Sequence, residues 1–330
     1  MRKAILRLIP PAMVPILPSN WSRRLDGSQI RAVFHLIFVL ALVIAALATP
    51  GFLSGPALQS LLTTVSFIGC VSAGMTLVTI SGNIFSLSLG VTVGASALVV
   101  IAAGNRSGVE GAIPVALVFG ALVGAVQGAL IGCLRANPII VTIATSVLIY
   151  GAAQPITGNA AFYAVHPTPD SLLNARVLGM PIEFVVFVVI LLICQVLLSF
   201  TVFGRNIVMI GSSFNASGAA GLRPWATIIG VYSCAGLFSA MAGIMLALRY
   251  GRASMEFGLG YDYSAIAAVL VGGTAISGGQ GSAIRTFAGM MIIGIVQVVL
   301  LLQGFRQEWQ YLITGLIVLG IVVLSPPAGR

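Results

Sequence analysis

Six uncharged polar residues in this sequence could hydrogen-bond a small polar solute, and each falls inside or beside a long apolar run. They are Asn83, Ser86, Ser88, Gln127, Asn137 and Gln154. Amide and hydroxyl groups both donate and accept hydrogen bonds, so they could line a polar path through an otherwise apolar protein. For Asn83, Ser86 and Ser88, the alternative left open is that they hydrogen-bond between helices, as polar residues in membrane helices often do.

The residue types that most enzymes need are scarce. Lys3 is the only lysine, so the chain has neither a phosphate-binding loop of the form G-x-x-x-x-G-K-[ST] nor a lysine placed for a Schiff base. His35 and His166 lie far apart, and the four cysteines each sit inside an apolar run without metal-ligand spacing: Cys70, Cys133, Cys194 and Cys234. We expect no enzyme activity and no cofactor or metal on this chain.

The composition requires a membrane. Of 330 residues, 58% are hydrophobic and 7% are charged, and 39 are glycine. A soluble domain cannot cover so much apolar surface, whereas glycine-rich apolar helices pack closely in lipid. The net charge of +9 comes from cations spread between the apolar runs, which does not resemble a nucleic-acid-binding face.

Ten apolar runs are long enough to be considered as spans, because a helix crosses the ~30 Å hydrocarbon layer in ~20 residues. They cover residues 33–49, 58–80, 84–103, 113–134, 139–156, 182–203, 225–248, 264–276, 284–302 and 310–324. The run at 264–276 is short and glycine-rich and suggests a broken helix. The sequence therefore predicts an all-α polytopic membrane protein.

Most arginines fall on one side of this arrangement, and cytoplasmic loops are enriched in cations. This bias places the N- and C-termini in the cytoplasm. Residues 1–31 then form a basic cytoplasmic tail along the inner leaflet, and residues 32–330 form the transmembrane domain. An inner loop at about 204–224 is rich in small residues, as expected for a short helix that docks into a groove of another protein.

Four motifs beyond residue 203 resemble the ribose-type sugar permeases of ATP-binding-cassette importers, which are close to the branched-chain amino acid and nucleoside permeases. The most specific is G-x-G-Y-x-x-x-A-I-A-A-V-L-V-G-G-T at 258–274, which continues through SGGQGS at 277–282. The others are Gly204-Arg205 with its following small residues, GLFSAMAGIMLALR at 236–249 and Glu308-Trp309-Gln310. A weaker match covers 81–90, where Ser86 replaces the usual aspartate of the family.

The resemblance implies a set of partners. These are cytoplasmic ATPase subunits that carry ATP and Mg, a second permease copy or homologue, an external solute-binding protein and the lipid of the bacterial cytoplasmic (inner) membrane. The residues matching the family's coupling helix are Gly204, Arg205, Gly211, Ala216, Gly221 and Leu222.

On the outer side, Arg249 and Arg252 lie among acidic residues, and we expect them to contact the binding protein. The function expected is import of a small polar solute, most simply a sugar. Two alternatives remain open: the same machinery carrying a branched-chain amino acid or nucleoside, and a channel that works without an ATPase.

Overall fold

The computed structural model describes residues 48–158, 160–165, 176–177 and 179–324. The predicted tail, the boundary at residue 31 and nearly all of the first predicted span lie outside these residues.

The described chain is mostly helical. Its helices are α1 (Gly55–Ile80), α2 (Leu89–Ser107), α3 (Val109–Leu134), α4 (Pro138–Thr157), α5 (Ile182–Phe200), α6 (Val202–Ser212), α7 (Phe214–Ala219), α8 (Pro224–Tyr250), α9 (Tyr261–Val271), α10 (Ala283–Leu302) and α11 (Gln307–Leu324). Two antiparallel strand pairs join β1 (Phe162–Tyr163) to β4 (Arg252–Ala253) and β2 (Arg176–Val177) to β3 (Met180–Pro181).

Helix α1 forms the centre of the bundle and packs against α5, α8, α9 and α10. Its apolar residues occur all around the helix, which is typical of a helix enclosed by others. Ser54 caps its first turn through a hydrogen bond from the Ala57 N–H to Oγ (3.4 Å), and Pro56 occupies a position that needs no N–H donor.

A stripe of glycines brings α3 and α8 into close contact. Gly120, Gly124, Gly128 and Gly132 recur at every fourth position of α3 and all face the backbone of α8. A Cβ on Gly124 would lie only 2.0 Å from the Tyr232 carbonyl oxygen, so no larger residue fits there without moving a helix. Such small-residue spacing is how membrane helices approach one another closely.

Seven of the described helices are long and apolar enough to cross a membrane: α1, α2, α3, α4, α5, α8 and α10. They confirm the prediction of a mostly helical protein with several spans, while the count of ten and the position of the termini stay predictions. Helix α9 has 11 residues and reaches only about 16 Å, which agrees with the short span expected at 264–276.

The bundle has two ends. The α7 end contains the end of α1, the start of α8 and helices α6 and α7. The strand end contains the start of α1, the end of α8 and strands β1 to β4. At the α7 end, the Gly279 N–H donates to the Ile80 carbonyl oxygen (2.8 Å).

Candidate functional site

Residues 81–88 connect α1 to α2 without regular secondary structure, and we call them the irregular segment. The sequence predicted a span from residue 84, but the helix begins at Leu89. The segment turns back along α1, since the Ser86 N–H faces Met75 Sδ at 3.5 Å and Met75 lies more than one turn before the end of that helix. Irregular backbone inside a membrane is tolerated only where protein supplies its hydrogen bonds.

Side chains of other helices supply those bonds. The Leu87 N–H donates to Thr142 Oγ1 (3.3 Å), and Ser146 Oγ donates to the Leu87 carbonyl oxygen (2.7 Å). Thr142 and Ser146 lie one turn apart on α4, so one face of α4 binds both backbone groups of a single residue. This contact ties α4 to the irregular segment.

Three of the predicted path residues come together at this segment. Ser88 Oγ donates to Gln127 Oε1 (3.0 Å), and the Ser86 and Ser88 hydroxyls are 3.1 Å apart. All three side chains are buried, with Gln127 only 1% exposed, and Gln127 Nε2 has no partner among the described residues. In this conformation the cluster joins α3 to the start of α2 and its side chains are enclosed by protein, while a role in a solute path stays a prediction.

The other three predicted path residues lie elsewhere. Asn83 Nδ2 donates to Ser81 Oγ (2.9 Å), close to the end of α1. Asn137 caps α4 by accepting the Ile139 N–H (3.0 Å), and Gln154 is exposed near the opposite end of that helix. The structure therefore does not group these residues with Gln127.

Sequence reasoning missed the contact made by Asp262 at the start of α9. Its Oδ1 accepts the Gly90 N–H at 2.9 Å, so the carboxylate caps the first turn of α2. A carboxylate at a helix N-terminus is stabilised by the N–H groups and by the helix dipole. Asp262 and Gly90 are 172 positions apart in the sequence. The sequence features that could have indicated the contact are Gly90 and Gly258, whose backbones touch. A Cβ on Gly90 would lie 2.5 Å from the Gly258 carbonyl oxygen.

The predicted coupling loop forms two short helices rather than one. Thr201 Oγ1 accepts the Gly204 N–H (3.1 Å) and caps α6, while Ser213 Oγ accepts the Ala216 N–H (3.3 Å) and caps α7. Gly221 then turns the chain with φ of +82°, a conformation that favours glycine.

The six predicted coupling residues divide into two groups. Gly204 is buried, and a Cβ on Gly211 would lie 1.9 Å from the Ile80 carbonyl oxygen, so both anchor α6 against the bundle. Arg205, Ala216 and Gly221 are exposed. Leu222 is half-buried, and its N–H donates to the Ser217 carbonyl oxygen (3.2 Å).

An open groove borders α7. It has a volume of about 620 Å³ and includes Arg135, Phe214 and Trp225 in its lining. The Arg135 guanidinium lies over the Phe214 ring, 5.3 Å from the centroid, and so connects the end of α3 to the first residue of α7. Arg135 has φ of +54° and is the one non-glycine residue with positive φ within the described ranges.

The two arginines expected to meet a binding protein lie at the strand end in different settings. Arg249 Nη1 forms an ion pair with Glu183 Oε1 (2.5 Å), and the Glu183 side chain is buried. Arg252 is exposed on β4, and its guanidinium lies 5.9 Å from the centroid of the Phe257 ring. The Arg252 side chain is therefore more available than that of Arg249 to bind an external protein.

Comparisons with known proteins identify a family for this chain. Residues 57–322 match the family described as branched-chain amino acid transport system / permease component. The ribose import permease RbsC of Bacillus subtilis is 33% identical over 297 residues, covering 88% of this chain and 90% of that protein. The autoinducer 2 import permease LsrD of Photorhabdus laumondii is 31% identical over 297 residues, covering 87% and 88%.

LsrD of Escherichia coli K12 is 32% identical over 266 residues, covering 78% of this chain and 79% of that protein. No solved structure matches the chain. The family match spans more than half of the chain and includes α1, α3, α6, α7, α8 and the irregular segment. This chain belongs to the permease component family of these transport systems.

Proposed function

We propose that the chain is the membrane-spanning permease subunit of an ATP-driven importer that carries a sugar across the bacterial cytoplasmic membrane. In this proposal the chain has ten spans with both termini in the cytoplasm, residues 1–31 form the basic tail and the α7 end faces the ATPase. The strand end then faces the binding protein.

The observation that carries the proposal is the arrangement of α6 and α7. Gly211 packs α6 against the end of the central helix α1 and Gly204 packs it against the end of α5, while Ala216, Gly218 and Ala219 are exposed on α7. A short helix of this kind can enter a groove of another protein and transmit its movement to α1. A channel that works without an ATPase has no need for it.

The relatives support a sugar as the solute. RbsC is named for ribose import and LsrD for autoinducer 2 import, although the family description refers to branched-chain amino acids. Identity above 30% over most of both chains weighs more than a family description that covers many solutes. We therefore place sugars ahead of amino acids and nucleosides.

ATP and Mg act on the partner ATPase in this scheme. Closure of two ATPase subunits would move α6 and α7 of each permease copy, and the bundle would change from an outward-open to an inward-open state. The irregular segment is well placed to respond, because its Gly82 lies against Gly211 of α6. Asn83, Ser86, Ser88, Gln127, Asn137 and Gln154 would then contact solute only in a state more open than this one.

A bulky residue on the outer face of α7 tests the coupling. Ala216→Trp should block entry of α7 into the ATPase groove, and Ala144→Trp on α4, away from the strand end, is the matched control, since both alanines are exposed. We expect the ATPase activity stimulated by loaded binding protein to fall to the basal rate only in Ala216→Trp. Full stimulation in that variant would remove α7 from the coupling contact.

A further inference from the structure

A polar cavity opens between the start of α1, the end of α8 and the start of α9. Its volume is about 330 Å³, and Gln59, Ser60, Thr63, Thr64, Tyr250 and Tyr261 belong to its lining. It lies at the strand end, because Gln59 is in the second turn of α1 and Tyr250 is the last residue of α8. Its size is near the low end of small-molecule sites, which span roughly 300–1,000 Å³.

The hydroxyl groups of α1 fall into two sets. Deeper in the helix, the hydroxyls of four residues each donate to the carbonyl oxygen four positions earlier, at 2.5 to 2.9 Å: Ser66, Ser72, Thr76 and Thr79. This internal bond is the usual way to satisfy a hydroxyl in a membrane helix. The side chains of Ser60, Thr63 and Thr64, which line the cavity, make no hydrogen bond with any part of the described chain.

Two of the polar side chains that line the cavity already have partners. Arg249 lines it but is paired with Glu183. The Gln59 side-chain amide is oriented with Oε1 toward Arg176. In this orientation Oε1 accepts hydrogen bonds from both terminal guanidinium nitrogens of Arg176, at 3.0 and 3.2 Å. The groups left for a ligand are three hydroxyls and two tyrosine rings, which suit a neutral molecule with many hydroxyl groups better than an anion or an amino acid zwitterion.

We propose that this cavity is the first site the solute occupies after it leaves the binding protein, and that its ligand is a neutral monosaccharide. The proposal rests on the function proposed above and assigns its solute-receiving site to α1, α8 and α9 rather than to the buried cluster at Ser88 and Gln127. Tyr261 lines the cavity and directly precedes Asp262, which caps α2, so a ligand in the cavity lies next to the residue that holds the start of α2.

The test uses the chain reconstituted in liposomes with its ATPase and binding protein. The probe is whichever of radiolabelled D-ribose, D-xylose and D-galactose the parent protein takes up fastest. The variants are Thr63→Val with Thr64→Val, which keeps side-chain shape and removes two hydroxyls, and separately Ser60→Ala. Ser66→Ala is the matched control, because that hydroxyl lies on the same helix and is bonded to the Leu62 carbonyl oxygen.

Each lost hydrogen bond should raise the half-saturating concentration of loaded binding protein, or lower the uptake rate, by about 2- to 10-fold, while Ser66→Ala matches the parent. Stimulation of the ATPase by empty binding protein should be unchanged in every variant, which separates a solute contact from a folding defect. Parental uptake in both cavity variants would overturn the cavity proposal and leave the proposed function standing. Absence of ATP-dependent uptake of all three sugars by the parent would overturn both.

Discussion

Asp262 makes a hydrogen bond that holds two distant elements together. Its carboxylate accepts the Gly90 N–H and lies at the positive end of α2, whose first residues follow the irregular segment directly. The backbones of Gly90 and Gly258 touch beside it, so no larger side chain separates the loop before α9 from α2. Loss of the carboxyl group would leave the Gly90 N–H at the start of α2 without this acceptor.

Replacement of Asp262 should therefore reduce stability in a graded way. Asparagine still accepts a hydrogen bond, so Asp262→Asn should lose less than ~1 kcal/mol of unfolding free energy, whereas Asp262→Ala should lose about 1–2 kcal/mol. The measurement is denaturation of the purified protein in nanodiscs. Glu256→Ala, on the same loop but exposed, serves as control, and equal losses at 256 and 262 would contradict the capping role.

At the scale of elements, close packing between α3 and α8 contrasts with the looser attachment of α4. Four glycines of α3 face α8, whereas α4 is mostly exposed and is held to the irregular segment through Thr142 and Ser146. Two helices in backbone contact move together, while a helix held by a few hydrogen bonds can shift by itself. We expect α4 to move relative to α3 and α8 during transport.

Alanine at two glycines should have opposite effects. At Gly124 a Cβ meets the Tyr232 carbonyl oxygen at 2.0 Å, so Gly124→Ala should cost about 1–3 kcal/mol through overpacking. At Gly151 of α4 nothing lies within 4 Å, so Gly151→Ala should gain about 0.5–1 kcal/mol from the better helix propensity of alanine. Thermal unfolding of both variants in nanodiscs provides the comparison. A gain at 124 or a large loss at 151 would show that α3 and α4 pack differently.

At the scale of the whole molecule, the sequence predicted most spans because lipid imposes a long apolar run on each. It did not predict the start of α2, because Ile84, Phe85 and Leu87 continue the apolar run, whereas the structure has residues 84–88 outside the helix, where Leu87 and Ser88 hydrogen-bond to side chains of α3 and α4. The coupling residues were assigned from the family resemblance, and their role stays a prediction. The Asp262 contact and the cavity at Thr63 could not, because both arise where residues far apart in sequence meet.

The central claim is that this chain moves a sugar only when an ATPase drives it. The most direct measurement is uptake of radiolabelled sugar into liposomes that contain the chain, its ATPase and its binding protein, with and without ATP. We predict accumulation that requires both ATP and the binding protein and that disappears in Ala216→Trp. Equal uptake by liposomes containing the chain alone would identify a channel and contradict the account.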